Sequence, residues 1–299
     1  MSSTSERSND TVRAIAVPLC LAFLTTGCAT VPYVGQGPHP QIERGQPFFP
    51  VDAIGNILSL PSKLLLLNWR VDNHAISEET ERVLVEYLKY RPEDLCDVKI
   101  RMNQWAPFGE FKHLWANKKV AWPYRLLIGF PVTLVFDVLL PGRLLGGDHY
   151  NPYTDTIHLY SDLPPVSVHE AGHAFDFSNQ RYPGTYAVLR FVPLVDLYQE
   201  YKATDEAIAY FIHVGDRPNE MGSYKILHPA FGTYVGRYFT RPYGLIFVAI
   251  GHLHGRKLAS DQQEVYRRLD AMKEAGLKDT QVTDTGSAER SARPPGPTP

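Results

Sequence analysis

The sequence predicts an α+β, mainly helical fold, and three observations carry that expectation. Runs with helical spacing dominate the middle of the chain, as in "SEETERVLVEYLKYR" at residues 77–91. One stretch, "NPYTDTIHLYSD" at 151–162, alternates as a short strand does. The chain has 299 residues, 44% of them hydrophobic, enough for one main core and without the bias of fibrous or largely disordered proteins. With 30 basic and 32 acidic residues the formal net charge is -2. That balance offers no electrostatic footprint for nucleic acid, so no nucleic-acid partner is expected.

The N-terminus opens with "AIAVPLCLAFLTTGCAT", whose apolar run from Ala14 to Leu24 is too short to span a bilayer and is followed by small residues and Cys28. This resembles a bacterial lipoprotein signal. The resemblance implies that residues 1–27 are removed, that Cys28 receives lipid, and that the protein is anchored to the membrane at the cell envelope, facing the periplasm. Thr25 stands where such signals usually carry Leu, and Arg7 and Arg13 are offset by Glu6 and Asp10. Cleavage near Ala29 without lipid, or an uncleaved anchor, are therefore the alternatives. With Cys20 in the signal and Cys28 lipidated, Cys96 is left without an intramolecular disulfide partner and is expected to be inert or buried.

Residues 28–50 are dense in Pro and Gly and read as a flexible tether to a body spanning 51–276. Ser77 is the expected N-cap of the first clear helix, which has acidic residues in its first turn and places Val83, Leu84, Tyr87 and Leu88 on one face. Two strongly apolar stretches, 126–140 and 243–251, are shorter than the roughly 20 residues of a membrane span. Both are expected to be buried core, with contact at a membrane surface as the alternative. Residues 151–162 form the strand, and "SDLPP" ends it and starts a helix, since Pro is tolerated in a first turn. From 277 the chain is polar and Pro-rich and reads as a disordered tail.

The helix begun by that Pro pair carries "PVSVHEAGHAFDF" at 165–177. At 100° per residue, His169 and His173 lie about 40° and about 6 Å apart on one face, so both imidazoles can reach one ion. Glu170 points to the neighbouring side, within reach of a water on that ion. Two nitrogen donors, an open position and a carboxylate to take a proton are what metal-assisted hydrolysis requires. A helix carrying two structural histidines is the plain alternative. Gly172 weakens an ordinary helix by up to about 1 kcal/mol relative to Ala, so close packing or function is its expected reason.

"HEAGH" resembles the active-site motif of the zincin metallopeptidases. The resemblance implies a zincin-like fold with a small sheet, an active-site helix and a following ligand-bearing helix. It also implies Zn2+ on His169 and His173, and Glu170 as general base. The metzincin branch places a Gly and a third His where this chain has Asp176 and Asn179, so its own motif excludes that branch; a resemblance to the gluzincin branch implies that a downstream glutamate completes the site. "EYKATDEA" from Glu200 and "EAIAYF" from Glu206 are each similar to gluzincin ligand helices.

Helical projection separates the two glutamates by about 120°. Leu197, Ala203, Thr204, Ala207 and Phe211 fall within about 60° of Glu200, making an apolar, small-residue stripe, whereas Glu206 projects with Lys202, Ala209 and His213. A carboxylate amid apolar neighbours is costly unless paired or metal-bound, which makes Glu200 the preferred third ligand and Glu206 the alternative. Asp176 is a candidate to orient a histidine, or is simply solvated. Tyr210, His213 and His228 are candidates for stabilising an oxyanion. The histidines of "GHLHG", 251–255, read as structural or surface residues. In zincins an edge strand beside the active-site helix holds extended peptide, and "DTIHLYS" occupies the corresponding place in the chain. The implied activity is peptide-bond hydrolysis in a peptide or protein substrate. Two alternatives stand beside it: a non-catalytic zincin-like lipoprotein acting as an envelope scaffold or assembly factor, and hydrolysis of a non-peptide amide.

Overall fold

Four short strands of unlike sequence meet in one mixed sheet, which packs against the helix Pro164–Ser178. The computed structural model describes residues 39–274 apart from Pro141 and Arg241. The signal, Cys28 and the expected tail from 277 lie outside the described residues. In chain order the elements are β1 (Ile42–Arg44), α1 (Phe49–Leu58), α2 (Leu60–Leu66), α3 (Glu78–Tyr90), α4 (Pro92–Leu95), β2 (Lys99–Met102) and α5 (Pro107–Ala116). Then follow α6 (Trp122–Leu139), α7 (Gly142–Leu145), β3 (His149–Asn151), β4 (Thr156–Leu159), α8 (Pro164–Ser178), α9 (Pro183–Leu189), α10 (Val195–Val214), α11 (Arg217–Gly236) and α12 (Gly244–Glu274). The fold is α+β and mostly helical. One compact unit extends to Ala259 and a second begins at Ser260 within α12.

The strand order is β1-β2-β4-β3, with β1, β2 and β4 parallel and β3 antiparallel to β4. Ile100 and Met102 of β2 are aligned with Ile157 and Leu159 of β4, and these four buried side chains join Val168, Ala171 and Ala174 of α8 in the main core. The alternate residues, Arg101 and His158 with His149 of β3, fall on the opposite face, since side chains alternate along a strand. Helix α3 starts at Ser77, whose hydroxyl accepts from Thr80 N, and it buries Val83, Leu84, Tyr87 and Leu88 as its spacing predicts.

Several expectations change. Residues 42–44, within the expected tether, form β1, because Ile42 aligns with Ile100 and Arg44 finds Glu81, partners distant in sequence. The strand β4 is not an edge: it is paired on both sides, and β3 is its antiparallel outer neighbour. Cys96 is exposed rather than buried.

The apolar run in α6 is not core. Only 17% of Trp122–Leu139 is buried, although it is the one described helix long and apolar enough, by length and composition, to cross a membrane. Leu127 is 72% exposed and Leu139 63%, while Gly129, Thr133 and Asp137 are buried. The small and polar residues recur every fourth position through two π-helical turns and face inward; a Cβ on Gly129 would come within 2.9 Å of Tyr153. Tyr243, Leu245, Ile246 and Ile250 are likewise exposed. Apolar composition reports what exposure costs but not which face finds a partner.

Candidate metal centre

Helix α8 begins directly after the sheet, with Pro164 and Pro165 in its first turn, and it is buried on all sides from Ser167 to Ala174. His169 and His173 project together, their ring centroids 4.7 Å apart. Helix α10 runs unbroken past them, with Glu200, Ala203, Thr204, Ala207 and Phe211 on its buried face. Gly172 explains how closely the two helices approach, since a Cβ there would stand 3.1 Å from the Ala203 carbonyl oxygen.

This approach brings Glu200 between the histidines. Its Oε2 lies 3.2 Å from His169 Nε2 and its Oε1 3.4 Å from His173 Nε2. Donors held about 2.1 Å from one ion in a tetrahedron are about 3.4 Å apart, so the spacing suits a shared cation. The three donor atoms all lie within 4.8 Å of one another, and this buried group could hold a metal ion. Glu206 is placed elsewhere. It accepts from Tyr87 Oη at 2.9 Å and from Arg91 Nε and Nη2 at 3.1 and 2.9 Å, on the flank its projection indicated.

The electrostatics keep Glu200 ionised between the two imidazoles. Burial pulls His173 down to about 4, leaving it neutral at pH 7. His169 is raised despite burial, through its hydrogen bond to Glu200 and the charge of Glu170. Burial opposes ionisation of Glu200, but His173, His169 and Arg190 hold its carboxyl well below the usual range. Glu170, 6% exposed, is lifted to about 7 by burial, with Glu200 and Asp148 adding to the rise and His169 opposing it.

Sequence reasoning missed two residues here. Arg190, at the end of α9, ion-pairs with Glu200 Oε1 and donates to Gln199 Oε1 at 3.3 Å, while Gln199 Nε2 holds the Tyr186 carbonyl. Tyr234 of α11 hydrogen-bonds Glu200, whose charge, together with burial, pushes the phenol upward. Neither has a local signal, since each reaches the site across a turn between helices. Thr204, singled out only as part of the stripe, puts its hydroxyl 3.4 Å from His169 Nδ1. Asp176 orients no histidine; it accepts from Tyr186 and Gln180 and lies 3.7 Å from Lys202 Nζ. Tyr210 packs on Tyr87 and Tyr90, His213 on Tyr90, and His228 on Tyr224 and His254, all away from Glu200. Of the "GHLHG" histidines, His252 contacts the Leu65 carbonyl.

Fold and site together define a mostly helical α+β protein with a buried His-His-Glu group able to bind a metal ion. Comparisons with known proteins found no matching family model, no matching curated protein and no matching solved structure.

Proposed function

We propose that this chain is a zinc-dependent metallopeptidase of gluzincin type, exported and lipid-anchored through Cys28. The observation that carries the reading is the convergence of His169, His173 and Glu200 from two helices, with Glu170 beside them on α8. His169, His173 and Glu200 would hold the ion. A bound zinc ion supplies Lewis acidity, lowering the pKa of water and polarising a carbonyl. Glu170 takes the proton from the attacking water and returns it to the leaving amine. Arg190 and Tyr234 keep the Glu200 carboxylate ionised and fixed, and Thr204 orients the His169 ring, as outer contacts of metal ligands do. The exposed apolar sides of α6 and of the start of α12 suit a lipid surface near an anchored protein.

Metal analysis of the purified chain, with a His169→Ala control, tests the site; a wild type lacking stoichiometric metal sinks it. One observation favours the scaffold reading: Arg190 already supplies Glu200 with a cation. Glu170→Gln separates the two, because under the peptidase reading it ends proteolysis while metal and fold stay intact. Unchanged cellular function in that variant favours the scaffold.

A further inference from the structure

A second group of metal-type donors lies on the opposite face of the sheet, and the HEAGH chemistry makes no use of it. His149 and His158 are directly aligned across β3 and β4, and their rings stack with centroids 4.6 Å apart. Asp137 enters from the π-helical turn Thr133–Leu139, buried although its neighbours Phe136 and Leu139 are exposed. One donor atom from each of Asp137, His149 and His158 lies within 4.8 Å of the others. Glu110 of α5, 1% exposed, adds a second carboxylate.

The hydrogen bonds orient these donors inward. His149 Nδ1 lies 3.0 Å from the Gly147 carbonyl, which can only accept, so the proton sits on Nδ1. Nε2 is then left facing Asp137 Oδ1 at 3.0 Å, an acceptor facing an acceptor unless a second proton or a cation lies between them. Asn151 Nδ2 donates to Asp137 Oδ2 at 2.5 Å and leaves Oδ1 to the cluster. His158 Nε2 is buried without a hydrogen-bond partner, 3.7 Å from Glu110 Oε2 and 3.8 Å from Asp137 Oδ1. Those gaps are too long for hydrogen bonds, yet near the edge of about 3.4 Å expected around one tetrahedral ion. Arg101 pairs with Glu110 and holds that carboxylate from behind.

We propose that Asp137, His149 and His158 form a second site for a divalent first-row transition ion such as zinc, with Glu110 beside His158. Imidazole and carboxylate donors suit that class of ion. The surroundings are closed, with Asp137 5%, His158 3% and Glu110 1% exposed, which makes the site structural. The ion cross-links β3 and β4 to the π-helical turn of α6.

The test counts metal on the full chain, because His149 sits near enough to Glu170 for each to feel the other's charge and activity would confound the two centres. The chain is stripped with chelator, reloaded with Zn2+, dialysed, and analysed by mass spectrometry for zinc per chain. The wild type should hold about two equivalents. His169→Ala with His173→Ala should keep about one, and its Tm should still fall on chelation. Asp137→Asn and His158→Gln should each lose that one equivalent while the α8 centre keeps its own. A wild type saturating at one equivalent that disappears in the His169→Ala, His173→Ala chain overturns the proposal. So does an unchanged count in a folded His158→Gln chain. Should the cluster variants not fold, the double α8 variant decides alone, since it leaves the second cluster intact. A wild type that holds only one equivalent, retained in the double α8 variant and lost in Asp137→Asn, supports the second site while removing the first reading.

Discussion

Two centres in this molecule are built from nearly the same donors, two histidines and a carboxylate, yet they differ in how the chain assembles them. On α8 the histidines are one helical turn apart, so local geometry alone aims them at one point. On the sheet, His149 and His158 meet only because β3 and β4 pair in register, and Asp137 joins only because the π turn directs it inward. The first centre therefore depends on helix–helix approach, and the second on sheet register and on a helix whose polar side faces in. Substitutions that act on those two dependences differ in expected size.

The largest effect is expected at Glu170. If the α8 centre hydrolyses peptides, Glu170→Gln lowers turnover about 100- to 10,000-fold while zinc content is unchanged, as steady-state kinetics and metal analysis on the same preparation would show. Full activity in that variant breaks the catalytic side of the comparison.

Next is the helix approach itself. Gly172→Val places side-chain atoms against the Ala203 carbonyl oxygen, already 3.1 Å from a Cβ, and backbone cannot yield as a side chain can. A loss of about 1–3 kcal/mol in urea unfolding is expected, with weaker zinc binding at His169 and His173.

The loop before β3 offers a pH handle on the sheet side. Gly147 N donates to Asp72 Oδ1, and burial, with Asp148 nearby, raises Asp72 to about 7. The folded chain thus favours the protonated acid: this contribution to stability is complete below the ordinary carboxylate range and is lost as pH rises through about 7. Thermal unfolding should be less favourable to the folded state at pH 8 than at pH 6. Asp72→Asn should flatten that difference, on the order of 1–2 kcal/mol. A wild-type profile with no such fall removes the buried-acid account of this loop.

Smaller effects sharpen the assignment. Glu206→Gln weakens the partly exposed pair with Arg91 and should cost about 1 kcal/mol, while zinc stoichiometry stays at the wild-type value. A lost equivalent there would return Glu206 to the ligand set. Cys96→Ser, at an exposed position, should change stability by no more than about 0.5 kcal/mol.

Much of the α8 centre is legible in the sequence. Ser77 caps its helix, the Pro pair starts α8, and Glu200 rather than Glu206 lies on the buried stripe of α10, because caps and periodicities are short-range properties. The apolar stretch 126–140 misled for a related reason. Its inward residues, Gly129, Thr133 and Asp137, recur at a spacing of four, an arrangement a hydropathy reading assigns to the solvent side. Arg190 and Tyr234 had no local pattern to announce them, and β1 looked like tether because its partners lie on β2 and at Glu81.

By itself, then, the sequence determined the mainly helical α+β class, the pair of imidazoles on one helical turn and the glutamate on an apolar stripe. Each is set by angles and spacings within about 20 residues. Only the tertiary structure decided that Arg190 and Tyr234 fasten that glutamate, that β4 is interior, that α6 turns its apolar side outward, and that Asp137 meets two cross-strand histidines. Those outcomes depend on contacts between segments distant in the chain, which no local periodicity encodes.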